Sequence, residues 1–353
     1  MISSGIFKEV CSAIFMPLQD AGFEAFIVGG ATRNAILGRE ISDIDITTNA
    51  KPEDIEAIFE NTVPTGKQFG TITVIIKKDQ VKSYEVTTYR SEAGYSDSRH
   101  PSEIVYETDI KKDLERRDFT INALAYNPLT KQFIDNHEGL QDLSEGVIRC
   151  IGAPKERFTE DTLRIFRAFR FSAQLEFYLD FDTKEAIKEI ASTFTIPAIE
   201  RVQLELDKLI MSERPSCALT MLRNFGVLKR LSSEFPKVTG KEINNCDSTE
   251  KHLRWPMLLQ QCDYKAFCKT LRFGRKRSRY IQLLIEANLD ERKAFATVKE
   301  LEISSQDLMS LGYAGVNLGK IQRELLAHIL DNPEDNTSEK LMAIAKEELK
   351  HEN

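Results

Sequence analysis

Apolar and polar positions in the first 90 residues follow both a helical and a strand period. Apolar residues three to four apart predict helices, whereas short apolar runs and strict alternation predict strands. The predicted helices are residues 6–21, a stretch that ends at Gly38 and a short helix from Pro52 to about Phe59; the predicted strands are 23–28, 43–46 and the two arms of a hairpin over 70–89. This order of elements predicts an α/β domain.

After residue 90 the pattern becomes polar and then helical. Residues 90–109 are polar, which predicts a loop that can close over a substrate. Residues 112–126 carry a helical apolar stripe, and 131–147 are typical of a strand and a turn. From Thr159 onward nearly all of the chain has helical spacing, and the acidic segment after Asp331 is expected to fray.

Two glycines and two aspartates lie between positions 29 and 45. Gly29 and Gly30 follow the first strand, and residues without a Cβ let backbone N–H groups approach an anion at the positive end of the next helix. Asp43 and Asp45 point to one face of their strand, where they can hold a divalent cation against a phosphate. Glu85, on an adjoining predicted strand, offers a third carboxylate. The pattern predicts a two-metal phosphoryl-transfer site.

Two further stretches carry candidate nucleotide contacts. In the first, Arg117, Asp118 and Asn122 share the face opposite the apolar stripe of a predicted helix. A guanidinium suits phosphate oxygens, and Asp and Asn suit ribose hydroxyls. The second stretch is a predicted helix that begins at a Thr159 cap and includes Asp161 and Arg164, three residues apart. An Asp–Arg pair on one helix offers the acceptors and donors that read the edge of a base.

Composition excludes several classes of protein. The 353 residues exceed one ordinary core, and 41% hydrophobic with 29% charged residues is typical of a soluble globular protein. No apolar run is long enough to span a membrane, and the acidic Glu9 argues against a signal peptide. The six cysteines form no C-x-x-C pair, which favours reduced thiols and a cytoplasmic location. The net charge of −7 weakly opposes a nucleic-acid partner, and no DNA or membrane partner is expected.

The distribution of charge changes that picture near the C-terminal end. Residues 251–282 contain nine Lys or Arg and one acid, Asp263, with aromatic residues interleaved. This segment is a candidate surface for an RNA backbone. Its predicted RNA-binding residues are Arg272, Arg275, Lys276, Arg277 and Arg279. A merely solvated basic face is the alternative.

Three motifs in order carry a resemblance to a known family. They are Gly29-Gly30 with Asp43-x-Asp45, the stretch from Arg116-Arg117-Asp118 to Asn122-Ala123, and Glu160-Asp161-x-x-Arg164. Together they closely resemble the bacterial class II tRNA nucleotidyltransferases, the CCA-adding enzymes, and their poly(A) polymerase relatives. The resemblance implies an α/β nucleotidyltransferase head over 1–150, a helical neck over 151–236, and a helical body and tail over 237–353.

The resemblance also implies an activity and its residues. CTP and ATP would be added to the 3′ end of tRNA without a template, with Mg²⁺ as cofactor and pyrophosphate as leaving group. Asp43, Asp45 and Glu85 would be catalytic, with Asp43 and Asp45 as metal ligands. The implied nucleotide-binding residues are Gly29, Gly30, Arg33, Arg117, Asp118, Asn122, Glu160, Asp161, Arg164 and Arg167. Of these, Asp161 and Arg164 would read the base, and Glu160 would position them.

Two departures from the family pattern and several alternatives stand beside this interpretation. No His-Asp pair occurs, so the metal-phosphohydrolase domain of some relatives is absent, and the tail is short. In this family the enzymes that add C alone shorten the loop corresponding to residues 90–109; the segment here is complete, which disfavours such an enzyme. It leaves open an A-adding enzyme or a poly(A) polymerase with the same chemistry. A non-catalytic RNA-binding relative and a nucleotidyltransferase for small substrates are the remaining alternatives.

Overall fold

The computed structural model describes residues 7–77, 81–95, 101–232, 242–245 and 250–351. The chain forms two compact units, of which the first is Met1–Asn245 with Thr270–Arg272 and the second is Cys246–Lys269 with Phe273–Asn353. The predicted head and neck therefore share the first unit. The predicted boundary at 236/237 lies outside the described residues, and the division into three domains stays a prediction.

A seven-stranded mixed sheet forms the centre of the predicted head. The strands in this region are β1 (Ala25–Val28), β2 (Asp45–Thr48), β3 (Thr62–Gly66), β4 (Thr71–Lys77), β5 (Val81–Thr88), β6 (Arg90–Tyr95), β7 (Pro101–Tyr106), β8 (Leu124–Tyr126) and β9 (Phe133–Asp135). The sheet order is β3-β4-β5-β2-β1-β8-β9, and β6 pairs with β7 alone. Strands β2 and β5 are parallel, and the other described pairs of this sheet are antiparallel. The predicted hairpin is confirmed as β4 and β5.

Strand β1 is buried on both faces, which explains why it is apolar throughout. Ala25 and Ile27 belong to one hydrophobic cluster with the N-terminal helices, whereas Phe26 and Val28 belong to a second cluster with Leu114 and other residues. A central strand covered on both sides reads as a continuous apolar run instead of an alternating one. This strand holds the glycine turn that follows it rigidly in place.

Helices surround the sheet and form the rest of the first unit. They are α1 (Lys8–Val10), which continues through a π-helical turn into α2 (Met16–Asp20), then α3 (Gly30–Leu37), α4 (Pro52–Ile58), α5 (Ile110–Glu115), α6 (Gly139–Glu145), α7 (Pro154–Glu160), α8 (Leu163–Leu175), α9 (Phe181–Ile190), α10 (Ile199–Ile210), α11 (Pro215–Asn224) and α12 (Val227–Leu231). The predicted end of α3 is confirmed, since Gly38 takes the left-handed conformation that closes the helix. Two short parallel strands also pair in this unit, β10 (Val147–Ile148) and β11 (Tyr178–Leu179), and β11 interrupts the predicted helical run after Thr159.

Three predicted elements have a different structure. Residues 112–126 are α5, a turn, one 3₁₀ turn and β8, because Ala125 pairs with Val28 in the sheet and so cannot continue a helix. In the predicted polar loop 90–109, the described residues form the β6–β7 pair. Residues 131–147 include the helix α6, which the strand-and-turn pattern does not predict. In each case tertiary pairing or packing decided between local alternatives of similar energy.

The predicted helix from Thr159 to Phe171 is confirmed over residues 163–171, but its start at a Thr159 cap is wrong. Helix α7 begins at Pro154 and ends at Glu160, Asp161 is extended (φ −137°, ψ 99°), and α8 begins only at Leu163. Asp161 accepts a hydrogen bond from the Leu163 N–H at 3.1 Å, which satisfies one of the unpaired donors at the start of α8. Thr159 caps nothing; its hydroxyl donates to the Lys155 carbonyl inside α7.

The second unit is helical throughout its described residues. Its helices are α13 (Arg254–Leu259), α14 (Tyr264–Thr270), α15 (Arg275–Glu286), α16 (Glu291–Phe295), α17 (Ser305–Ser310), α18 (Gly315–Asp331) and α19 (Ser338–His351). The segment after Asp331 was expected to fray, but α19 buries Leu341 and Ala345 against α17 and α18. Among the described helices, none is long and apolar enough to cross a membrane.

Candidate active site

A cleft of about 1180 Å³ in the first unit collects most of the predicted site residues. All the predicted nucleotide-binding residues except Glu160 line it, together with Asp43 and Asp45. Glu160 and Glu85 lie outside its lining. The sequence motifs that were separated by more than 100 positions therefore meet around one cavity.

The glycine turn at Gly29 places the backbone close to two charged groups of the cleft, the Asp45 carboxylate and the Arg117 guanidinium. Gly29 ends β1 with φ 67° and ψ −133°, a conformation that favours glycine, and α3 begins at the next residue. A Cβ at Gly29 would lie 3.4 Å from Arg117 Nη1 and 3.6 Å from Asp45 Oδ2. The start of α3 therefore lies next to a space that a carboxylate and a guanidinium border, which suits a phosphate–metal complex.

The three predicted carboxylates influence one another but do not form a ready metal cage. Asp45 is the first residue of β2 and lies in register with Glu85 on β5, while Ile44 and Ile46 pack toward the core. Burial raises the pKa of Asp45, and Asp43 raises it further against the opposing charge of Arg117. Burial and both aspartates raise the pKa of Glu85. Among the described residues, no three His, Cys, Asp or Glu side chains gather closely enough to hold a metal alone.

The donor set nevertheless suits a magnesium ion. Mg²⁺ binds hard oxygen ligands, keeps several of its waters, and typically takes one or two carboxylates together with the phosphates of its substrate. Asp43 and Asp45 supply two such carboxylates at the cleft wall. Burial is the main cause of the raised pKa values of Asp45 and Glu85, and a bound cation would favour the charged form of both carboxylates.

A buried aspartate that sequence patterns did not identify orients Arg117. The Asp113 side chain is fully buried; its Oδ2 accepts from Arg117 Nη2 at 3.0 Å, and its Oδ1 accepts from Arg116 Nε and Nη2 at 2.9 and 2.8 Å. Burial acts to raise the pKa of Asp113, but the two guanidinium groups lower it below its ordinary value. The only sequence signal was an acid three and four positions before two arginines. Asp113 fixes Arg117 with Nη1 toward Gly29.

Asp118 and Asn122 lie at the centre of a hydrogen-bond chain that crosses the cleft wall. Asn122 Oδ1 accepts from Arg33 Nη1 at 2.6 Å, and Asn122 Nδ2 donates to Asp118 Oδ1 at 3.0 Å. Asp118 Oδ2 accepts from Arg167 Nε at 2.7 Å. Burial, with a contribution from Arg170, lowers the pKa of Arg33 to about 10. The helix predicted over residues 112–126 is absent, but Asp118 and Asn122 are still hydrogen-bonded to each other.

A buried glutamate from α10 extends this chain and was also missed by the sequence patterns. Glu205 is 7% exposed, and its Oε2 accepts from Arg170 Nε at 2.5 Å while Oε1 lies 3.8 Å from Arg167 Nη1. Arg170 stacks over the Phe171 ring at 3.8 Å. Since buried carboxylates need paired charges, Glu205 compensates the concentration of arginines on α8.

The two predicted base-reading residues do not pair with each other, whereas the expected contact of Glu160 with Arg164 is present. Asp161 pairs with Arg201 on α10 at 3.1 Å, and not with Arg164. Arg164 Nη1 donates to Glu160 Oε2 at 2.9 Å and to the Arg157 carbonyl at 2.8 Å. The break between α7 and α8 separates Asp161 from the helix that carries Arg164, which explains the change. Both side chains still line the cleft.

The predicted RNA-binding residues divide into two groups. Arg275, Lys276 and Arg279 are exposed on α15. Arg277 lies over the Phe273 ring at 3.8 Å and over Trp255 at 5.6 Å, and Arg272 pairs with Glu200 at 2.5 Å. Cations in the first turn of a helix oppose its dipole, so Arg275 and Lys276 gain no local stability from their positions. This favours a role in binding an external anion for the exposed group.

Comparisons with known proteins agree with the cleft. The family model described as "Poly A polymerase head domain" matches residues 25–149, and the one described as "Probable RNA and SrmB- binding site of polymerase A" matches residues 176–238. The CCA-adding enzyme of Staphylococcus epidermidis is 44% identical over 223 residues, which are 63% of this chain and 54% of that enzyme.

Two longer matches extend the likeness beyond these segments. The CCA-adding enzyme of Leuconostoc mesenteroides is 34% identical over 328 residues, which are 90% of this chain and 80% of that enzyme. The crystal structure of the Bacillus stearothermophilus CCA-adding enzyme in complex with CTP is similar with a TM-score of 0.79 at 26% identity, and the match covers 98% of each chain. The chain therefore belongs to the family of the CCA-adding enzymes, the tRNA nucleotidyltransferases with a head domain of the poly(A) polymerase type.

Proposed function

We propose that this chain adds C, C and A in turn to the 3′ end of tRNA from CTP and ATP, without a nucleic-acid template, and releases pyrophosphate. The observation that carries the proposal is the cleft, whose lining brings Asp43 and Asp45 together with a set of arginines around one cavity. The curated relatives named above are CCA-adding enzymes, and the B. stearothermophilus structure contains CTP. Membership of the family and the chemistry of the lining support the same activity.

Enzymes of this family are generally metal-dependent, and we propose Mg²⁺ as the ion and Asp43 and Asp45 as its protein ligands. When bound, the ion neutralises the triphosphate and lowers the pKa of the attacking 3′-hydroxyl. Glu85 lies in register with Asp45, on the next strand of the sheet. We assign it a supporting role, in which its negative charge strengthens the attraction of Asp45 for a cation.

The triphosphate and ribose would be held by other residues of the same cleft lining. Arg117, oriented by Asp113, and the N-terminal N–H groups of α3 would bind phosphate oxygens, because both offer donors and positive charge. Asp118 would accept hydrogen bonds from the ribose hydroxyls, and Asn122 would donate to them. Since Arg33 and Arg167 already bind this pair, the sugar would meet groups whose orientation is set before it arrives.

Asp161 and Arg164 are the residues we propose to read the base. Asp161 offers carboxylate acceptors and Arg164 offers guanidinium donors, so together they can match the edge of C or A and leave U or G with unpaired groups. Each is held by a separate partner, Asp161 by Arg201 and Arg164 by Glu160. The exposed cations of α15 would contact tRNA phosphates without reading sequence.

Product lengths on three tRNA transcripts test this function. Transcripts that end before the CCA tail, after one C and after CC are incubated with Mg²⁺ and CTP, ATP or both. Addition of two C and one A to the shortest transcript is expected. Extension of the CC-ended transcript alone, with ATP alone, would identify an A-adding enzyme, and a long run of A would identify a poly(A) polymerase. If none of the transcripts is extended although tRNA binds, the non-catalytic alternative is correct.

A further inference from the structure

Arg157 on α7 lies behind the cleft and touches both halves of the nucleotide site. Its side chain is 14% exposed and lies outside the cleft lining. Arg157 Nη2 donates to the carbonyl oxygens of Arg116 and Arg117 at 2.5 and 2.9 Å, and Nη1 pairs with Glu160 Oε2. One guanidinium thus joins the turn after α5 to the end of α7.

The two carbonyl groups directly precede Asp118. Helix α5 ends at Glu115, and the carbonyls at the end of a helix have no partner within it, so they accept readily from a cation. By binding both, Arg157 fixes the peptide planes from which the Arg117 and Asp118 side chains extend. The residues proposed to bind triphosphate and ribose therefore depend on Arg157 for their backbone position.

The same arginine also fixes the residue proposed to read the base. Arg164 Nη1 donates to the Arg157 carbonyl at 2.8 Å and to Glu160 Oε2 at 2.9 Å, and Arg164 Nη2 donates to the Arg116 carbonyl at 3.3 Å. Glu160 therefore lies between the guanidinium groups of Arg157 and Arg164, and the Arg116 carbonyl accepts from both. A planar guanidinium can serve these separate acceptors in fixed directions, whereas the single ammonium of lysine cannot.

We propose that Arg157 is a positioning residue that sets nucleotide selectivity by holding the base-reading Arg164 at a fixed distance from Arg117 and Asp118. The proposal rests on the function proposed above. Selectivity requires that the base, ribose and triphosphate contacts form at the same time, so that a wrong base loses contacts that the right base keeps. Without the Arg157 guanidinium, only the longer hydrogen bond from Arg164 Nη2 to the Arg116 carbonyl, at 3.3 Å, joins the two sets of contacts, so the difference between right and wrong bases shrinks.

Selectivity ratios of full-length variants test the proposal. Arg157→Met and Arg157→Lys are compared with the unchanged chain for kcat/KM of CTP against UTP on the shortest tRNA transcript, and of ATP against GTP on the CC-ended transcript. In Arg157→Met the ratios are expected to fall about tenfold, the equivalent of one charge-assisted hydrogen bond. Arg157→Lys is expected to fall between Arg157→Met and the unchanged chain. The change should lie chiefly in nucleotide KM, and the Kd for tRNA should be unaltered.

Arg149→Lys is the matched control. Arg149 lies in the same unit, and its guanidinium also bridges two partners, Asp142 at 3.2 Å and Asp180 at 2.5 Å, but it lies outside the cleft lining. Its replacement is expected to lower the thermal stability and to leave both selectivity ratios unchanged. The control thereby separates the general effect of losing a guanidinium that joins two partners from the specific effect of losing the Arg157 guanidinium.

The outcomes distinguish the two proposals. If kcat/KM falls equally for right and wrong nucleotides in both Arg157 variants, Arg157 is only structural and the inference is overturned. If Arg157→Met fails to fold, the ratios of Arg157→Lys decide, because it keeps the charge and the aliphatic stem. Failure of the proposed function would be seen in the unchanged chain, which would then extend none of the transcripts.

Discussion

Replacing Arg167 by Met removes the charged partner of the buried Asp118. Arg167 donates Nε and Nη2 to Asp118 Oδ2 at 2.7 and 2.6 Å, and Asp118 is 8% exposed. Burial acts to raise the pKa of Asp118, but Arg167 and the Asn122 hydrogen bond hold it well below its ordinary value. In the variant the carboxylate keeps Asn122 and loses its counter-charge, so the folded state should be destabilised.

The structure sets the size of this effect. Removing one partner of a buried ion pair costs about 3–5 kcal/mol. The Arg167 side chain is 34% exposed, so water can partly replace it and we expect the lower end, about 3 kcal/mol. For a unit of this size that loss corresponds to a fall in Tm of about 6–12 °C. The measurement is thermal unfolding of the full chain, followed by circular dichroism, without nucleotide.

Acid dependence adds a second readout with a definite sign. In the unchanged chain the pKa of Asp118 is lowered on folding, so its contribution is present above the ordinary pKa near 4 and is lost as pH falls through the folded value. In Arg167→Met, burial without a counter-charge raises the pKa of Asp118, so protonation relieves the penalty as pH falls. The difference in Tm between the two proteins should therefore shrink between pH 7 and pH 4.

A double variant and a surface control complete the test. Arg167→Met with Asp118→Asn removes both charges of this pair, so it should recover part of the loss, with a coupling energy of about 2 kcal/mol. Arg214→Met removes an exposed pair with Glu176, whose side chains are 72% and 46% exposed, and should cost less than about 1 kcal/mol. If the effects of Arg167→Met and Asp118→Asn are additive in the double variant, the buried pair does not stabilise the site as argued. The same holds if Arg167→Met lowers the stability no more than Arg214→Met.

Three other substitutions test the remaining parts of the site. Asp45→Asn should lower nucleotide incorporation by more than about a hundredfold, since even a change in the outer shell of a metal site costs up to that much, while tRNA affinity in a filter-binding assay stays the same. Normal incorporation would show that Asp45 is not a ligand of the proposed metal ion. Gly29→Ala combines a positive φ with a Cβ 3.4 Å from Arg117 Nη1, whereas Gly22→Ala shares the positive φ but has no atom within 4 Å of its Cβ. Both variants should be destabilised by about 1–2 kcal/mol of backbone strain, and their Tm should fall. Only Gly29→Ala should raise the KM for CTP. Equal KM values in the two variants would contradict the close approach of the backbone to the nucleotide. Replacing Arg275, Lys276 and Arg279 together by Glu should weaken tRNA binding and lower the slope of log K against log salt by about 0.7 for each lost phosphate contact. An unchanged slope would show that the cations of α15 are only solvated surface residues.

The local motifs were predictable because each depends on residues close together in the sequence. The glycine turn, the end of α3 at Gly38 and the β4–β5 hairpin follow from short-range rules of backbone geometry and apolar spacing. Most of the predicted nucleotide-binding residues do line the cleft, although no sequence rule gave the distance between them. Their roles in catalysis and binding remain predictions that the substitutions above test.

The missed residues share a physical cause. Asp113 and Glu205 are buried carboxylates whose partners are arginines, and Glu205 lies 35 positions from Arg170. In the sequence such residues look like ordinary charges on a solvated helix face. Only the folded chain shows that water has been excluded from them, so that pairing becomes obligatory.

The sequence by itself determined the glycine turn, the end of α3, the β4–β5 hairpin and the family to which the motifs belong. The tertiary structure alone decided that residues 112–126 are not one helix, since Ala125 pairs with Val28 in the sheet. It also decided that Asp161 pairs with Arg201 and not with Arg164, since the chain breaks between α7 and α8. Local spacing cannot distinguish these arrangements, because partners from distant parts of the chain supply the energy that selects between them.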